Sequence, residues 1–178
     1  VINGIGAKDA LGQSVGGGGD VNGDGIGDLV LGAMYASPAG RASAGQAYVI
    51  FGRASFPASF NLATLNGTNG FTVHGAMAND YLGGYTSDVA GDINGDGVDD
   101  LLLTAWGVDV GSSSVGAAYI LFGKSAGSFP AVLDLATLNG TNGVAIRGVS
   151  SGDYVGRASR AGDVNGDGYD DILIGSGN

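Results

Sequence analysis

Four oxygen-bearing side chains recur at fixed offsets in three places along the chain: Asp20, Asn22, Asp24 and Asp28; Asp92, Asn94, Asp96 and Asp100; Asp163, Asn165, Asp167 and Asp171. Each set fills positions 1, 3, 5 and 9 of one acidic motif, Asp20-Val-Asn-Gly-Asp-Gly-Ile-Gly-Asp28, Asp92-Ile-Asn-Gly-Asp-Gly-Val-Asp-Asp100 and Asp163-Val-Asn-Gly-Asp-Gly-Tyr-Asp-Asp171. With the backbone carbonyl of position 7, from Ile26, Val98 or Tyr169, these oxygens approach the roughly six to eight ligands that calcium takes, and water completes the shell. No thiolate or imidazole is present in any copy, which argues against zinc, copper or iron. Magnesium keeps more of its own water, so calcium is the expected ion, about three per chain. Glycine at positions 4 and 6 lets the backbone curl around a point, because it reaches positive φ without steric cost.

Two other calcium loops fail against these residues. An EF-hand loop places a bidentate acid at position 12 and runs into a helix. Position 12 here is Leu31, Leu103 or Ile174, and each motif runs into an apolar, strand-like stretch such as Leu29-Val-Leu-Gly-Ala33 or Leu101-Leu-Leu-Thr-Ala105. Calcium-binding β-rolls repeat about every nine residues, whereas the first Asp here recurs after 72 residues (92 − 20) and then 71 (163 − 92). Hairpin turns use Asn-Gly and Asp-Gly and explain one copy, but not three that keep every oxygen.

The elements that must hold these loops repeat with them. Leu62-Ala-Thr-Leu-Asn-Gly-Thr-Asn-Gly70 is identical to residues 135–143, and Ala47-Tyr-Val-Ile-Phe-Gly52 is matched by Ala118-Tyr-Ile-Leu-Phe-Gly123. Each unit reads as four short strands; in the second they are expected near 85–91, 100–106, 117–122 and 143–147, with the acidic loop joining the first two. The middle two are continuous apolar runs, as in strands buried on both faces. The expected fold is all-β, built of four-stranded antiparallel blades of the β-propeller type. Its units are 1–75, 76–148 and a partial 149–178, about 2.5 repeats. Residues 1–4 align with Val73-His-Gly75 and read as the outer strand of a preceding blade.

Phe51-Gly52 and Phe122-Gly123, the acidic loop and a following strand that ends Gly32-Ala-Met34 resemble the FG-GAP repeat, found in the propeller of integrin α-chains and in many bacterial secreted proteins. The resemblance implies that the loop joins the first and second strands of a blade and holds calcium on one face of the propeller. It implies ligand roles for Asp20, Asn22, Asp24, Asp28 and their counterparts. The sequence departs from the family where Gly-Ala-Pro would stand, at Thr104-Ala-Trp106 and Gly175-Ser-Gly177.

Composition narrows the function classes. All 17 acidic residues are Asp, which suits turns and short strands, and 44% of residues are hydrophobic, enough to bury a core despite 37 glycines. Three bound divalent cations would bring the formal charge of −10 to about −4. With only seven Lys and Arg, the chain lacks the basic face that nucleic acid requires. No apolar run reaches the ~18 residues of a membrane span. Cysteine is absent, which removes disulfide and thiol chemistry.

The single histidine, His74, reads as a solvent-facing strand residue, and Trp106 as packing at a blade junction. Asn66-Gly-Thr68 and Asn139-Gly-Thr141 fit glycosylation sequons but read as turns. One His, no Cys and no carboxylate pair outside the loops leave no catalytic set, so no enzyme activity is expected.

The leading reading is a calcium-binding extracellular or cell-surface module, a scaffold or adhesion surface, whose partners are further blades of the same or another chain. One alternative is a carbohydrate- or protein-binding segment using the face opposite the metal loops, through loops such as 108–115. Another is an accessory propeller of a secreted hydrolase or lyase. Because Val1 is not a natural start, the sequence reads as a segment of a longer repeat protein; copies joined head to tail are the competing expectation.

Overall fold

The computed structural model describes residues 1–125 and 129–177. The first part of the chain forms strands β1 (Ile2–Asn3), β2 (Leu11–Gly17), β3 (Leu29–Ala33), β4 (Gln46–Ile50), β5 (Phe60–Asn61) and β6 (Gly70–His74). The second forms β7 (Leu82–Gly91), β8 (Asp100–Ala105), β9 (Asp109–Val110), β10 (Ser113–Ser114), β11 (Ala117–Leu121), β12 (Val132–Asp134) and β13 (Gly143–Arg147). A final hairpin pairs β14 (Arg157–Gly162) with β15 (Asp171–Gly175); Asn178, the last residue of the expected third unit, lies outside the described residues.

The chain is all-β apart from short 3-10 turns, and its two main sheets are antiparallel meanders. Strands β2, β3, β4 and β6 run side by side in the first sheet, as do β7, β8, β11 and β13 in the second. In β8 and β11 every residue is buried, because neighbours cover both faces of the sheet. Val30, Ala47, Val49, Phe71 and Val73 of the first sheet pack on Leu101, Leu103, Ala105, Ala117, Tyr119 and Leu121 of the second. The opposite face of the second sheet, through Ala90, Leu102, Ala118 and Ile120, meets Ala158, Ile172 and Ile174 of the final hairpin. Successive sheets thus stack face to face in chain order, the packing of propeller blades.

Neighbouring sheets are joined by buried hydroxyls. Ser14 Oγ donates to the Gly83 carbonyl (2.7 Å), and Thr104 Oγ1 donates to the Gly156 carbonyl (2.7 Å).

Two strands cross between sheets. β12 leaves the second sheet and pairs in parallel with β6, the outer strand of the first, at Val132↔Thr72 and Asp134↔His74. It covers an edge that would otherwise expose unpaired backbone groups. β1 pairs with β5 in the same way, Ile2↔Phe60 and Asn3↔Asn61, so β1 stands to β5 as β6 stands to β12. Asn61 and Asp134 each cap the following 3-10 turn by accepting from the N–H of Ala63 or Ala136 (3.0 and 2.9 Å).

Three expectations need adjustment. The inner strand of the second sheet begins at Leu82 rather than 85, because its register against β8 slips between Leu82 and Ser87. The crossing strands β5 and β12 add to the four expected per unit. His74 is half-buried rather than solvent-facing, because β12 brings Asp134 beside it; burial lowers its pKa. Trp106 does pack at the junction of the second sheet with the final hairpin, against Tyr81 and Tyr154.

Candidate metal loops

Each acidic motif spans the connection between the inner strand of a sheet and its neighbour: residues 18–28 join β2 to β3, 92–99 join β7 to β8, and 163–170 join β14 to β15. Local hydrogen bonding shapes all three alike. The position-1 carboxylate accepts from backbone N–H groups across the curl: Asp20 from Asp24 and Gly25 (3.0 and 2.6 Å), Asp92 from Asp96 and Gly97 (3.1 and 2.8 Å), Asp163 from Asp167 and Gly168 (3.1 and 2.9 Å). Position 3 accepts from the N–H of position 5 through Asn22, Asn94 and Asn165 (3.0, 2.9 and 2.8 Å). Position 5 accepts from the N–H of position 7, linking Asp24 to Ile26, Asp96 to Val98 and Asp167 to Tyr169 (2.9, 3.0 and 3.0 Å). The curl needs left-handed glycine: φ is +70 to +93° at positions 4 and 6 of the three loops.

Position 9 is set differently. The Asp28 carboxylate is fully buried and accepts from Val21 N–H (2.9 Å) in its own loop and Gly52 N–H (2.8 Å) beyond β4. Asp100 repeats this with Ile93 (3.0 Å) and Gly123 (2.9 Å). The Phe-Gly pair therefore has a mechanical role: its glycine N–H pins the loop's last aspartate. A Cβ on Gly52 would overlap the Gly27 carbonyl, and one on Gly123 the Asp99 carbonyl. Asp171 is half-buried and accepts from Val164 N–H (3.0 Å); no counterpart of Gly52 reaches it among the described residues.

Burial pushes the pKa of Asp28 and of Asp100 up to about 6 against the pull of their N–H donors, and the charges of Asp20 and Asp24, or of Asp96 and Asp92, add to the rise. The exposed Asp163 is held low instead, chiefly by the Gly168 N–H. The structure thus brings positions 1, 3 and 5 together on the curl and sets position 9 behind them, bonded to backbone. Among the described residues no three carboxylates converge on a single point. The donor set of each loop is nonetheless all hard oxygen, and in the first two loops the carboxylates lie near enough to repel. That combination fits a hard divalent cation at Asp20, Asn22, Asp24 and Asp28 and their counterparts, with carbonyls of Ile26, Val98 and Tyr169 available.

The loops are also latched to one another through position 8, which the sequence reading passed over. Asp99 Oδ2 accepts from Asp20 N–H (2.7 Å), and Asp99 N–H donates to the Asp20 carbonyl (3.2 Å). Asp170 does the same to Asp92, at 2.9 and 3.0 Å. Gly19 and Gly91 make room, since a Cβ on either would press on the partner carboxylate. The available signal was the Asp-Asp pair that closes the second and third motifs, where the first has Gly27-Asp28.

A family model described as FG-GAP repeat matches residues 11–50 and 155–178, each stretch carrying an acidic loop and its strands. The chain is also 34% identical over 162 residues to the phosphatidylinositol-glycan-specific phospholipase D of Bos taurus, an alignment covering 88% of this chain and 17% of that protein.

Proposed function

We propose that this chain, which carries FG-GAP repeats, is a calcium-stabilised, non-catalytic module of an extracellular protein, serving as a scaffold or adhesion surface. One observation supports the metal most directly: three loops of the same hydrogen-bonded shape each gather two exposed or half-exposed aspartates and an asparagine in front of a position-9 aspartate. A cation bound to each would offset repulsion within a chain of formal charge −10 and add its binding free energy to that of folding. Further blades of the same or another chain fit against the outer face of the final hairpin, where Leu173 is 64% exposed. Thermal unfolding with calcium and with a chelator tests this reading. Calcium is expected to raise the melting temperature, and an unchanged melt would overturn it.

A second reading, favoured by the identity to the phospholipase D, is that the module accompanies a hydrolase domain. The chain spans 17% of that relative, and with one His, no Cys and no Glu this reading places any hydrolysis elsewhere in such a protein. Absence of turnover of phosphodiester, ester and glycoside substrates by this chain is the expected result.

A further inference from the structure

At the ends of the strands away from the metal loops, Tyr85, Trp106, Tyr154, Arg157 and Gly177 line a cavity of about 250 Å³ between the second sheet and the final hairpin. Its shape follows from two departures from the repeat. Tyr81 and Tyr154 occupy equivalent corners, each following an aspartate and each left-handed, with φ 56 and 44°. Counting from the position-9 aspartates Asp100 and Asp171, Trp106 and Gly177 are also equivalent. Trp106 stacks flat on Tyr81, with ring centroids 4.5 Å apart and planes at 4°. Gly177 supplies no ring at the same place beside Tyr154, whose contact with Trp106 is edge-on at 6.5 Å. The indole of the second sheet therefore has a glycine as its counterpart in the third unit.

The second departure is an extra residue at a slip that β2 and β7 share: β7 runs from Leu82 to Ser87 where β2 runs from Leu11 to Val15 against the equivalent residues of the next strand. Such irregularities re-aim side chains and cluster beside binding sites. Here it turns out Tyr85, half exposed, 6.4 Å from Trp106. Gly84 and Gly156 make room for the aromatic wall, since a Cβ on Gly84 would come within 3.1 Å of Trp106 and one on Gly156 within 3.0 Å of Tyr85. Arg157 replaces Gly84 at the third position after the corner tyrosine, and its guanidinium lies 4.9 Å from the Tyr85 ring centroid. Among the described residues the one salt bridge joins Arg41 to Asp134, so Arg157 has no carboxylate partner.

We propose that this cavity binds one sugar ring bearing an anionic substituent, a carboxylate or a sulfate ester, within an acidic glycan. Flat aromatic faces with polar tips suit the apolar face of a pyranose. A stacked, unpaired guanidinium supplies a planar fork of donors for an oxyanion. The cavity falls below the roughly 300–1,000 Å³ of drug-sized sites, a scale for one ring of an extended chain. A quaternary ammonium would also seek aromatic walls, but Arg157 already occupies the Tyr85 face and would repel it. The inference does not rest on the metal loops, which lie at the other ends of the same strands.

Trp106 is the chain's only tryptophan, so its fluorescence reports on this cavity directly. The chain is titrated at constant free calcium, to remove effects of calcium chelation, with tetragalacturonate, a sulfated heparin tetrasaccharide, neutral maltotetraose and choline. Saturable change with either acidic oligosaccharide, weaker by about tenfold or more in Arg157→Ala and weak or absent with maltotetraose, is expected; which acidic probe binds identifies the anion. An unchanged melting temperature shows that Arg157→Ala still folds. Tyr154→Ala, which removes the open ring, should lose the response as well. No saturable response to either acidic probe, equal binding of the neutral one, an unaltered affinity in Arg157→Ala, or a response to choline alone would each overturn the proposal.

Discussion

Asp28 and Asp100 carry opposite demands. Each must be ionised to serve a cation, yet each is buried and has its pKa raised to about 6, first by burial and then by neighbouring aspartates. An acid whose folded pKa lies above its ordinary 3.8 contributes stability that is complete below the ordinary value and is lost as pH rises through the folded one. In calcium-free solution, wild type should therefore exceed Asp100→Asn in stability by more at about pH 4.5 than at about pH 7, by up to about 2 kcal/mol. In saturating calcium the trend should reverse, because the cation selects the ionised form. Denaturant melts of both proteins at the two pH values check this, and a pH-independent difference without calcium would contradict it. Gly123→Ala tests the same carboxylate from its donor side. The added methyl meets the Asp99 carbonyl, and strain with a weakened N–H contact to Asp100 should cost about 1–3 kcal/mol.

At the scale of elements, the contacts that matter most run between units. Because Asp99 holds the backbone of Asp20, and Asp170 that of Asp92, Asp99→Ala should weaken calcium binding by the first loop although it lies in the second, and Asp170→Ala should weaken the second loop. A drop of about 5- to 20-fold is expected for the loss of such a charge-assisted hydrogen bond. Calorimetric titration of each variant checks it, and affinity loss confined to the mutated loop would contradict the latch. The clasp of β12 is a second such contact. Arg41 donates to both oxygens of Asp134 at 3.1 and 2.6 Å, so Arg41→Ala should destabilise the chain by about 1–2 kcal/mol. Arg41 holds the Asp134 carboxyl below the usual range. This contribution is present above the ordinary carboxylate pKa and fades as pH falls through the folded value, so the cost of Arg41→Ala should shrink in strong acid.

These inter-unit contacts were also the least legible part of the sequence. The strands of each sheet were visible because burial on both faces demands unbroken apolar runs such as Leu101-Leu-Leu103, and the loops because every oxygen recurs. A three-residue crossing such as Val132-Leu-Asp134 is too short to show any period. Asp99 beside Asp100 reads as one more acid until the fold shows that the two side chains serve different loops.

For the whole molecule, three stacked units share one acidic face, and the charge that would attract cations to the loops also makes them repel. On the proposed reading, cation binding at successive loops, joined through Asp99 and Asp170, would couple folding of this chain to its surroundings. Calorimetric titration of the calcium-free chain with calcium tests that claim most directly. Saturable binding of about three ions per chain is expected, falling to about two in Asp92→Ala. Absence of saturable heat, or a stoichiometry unchanged in Asp92→Ala, would contradict the account.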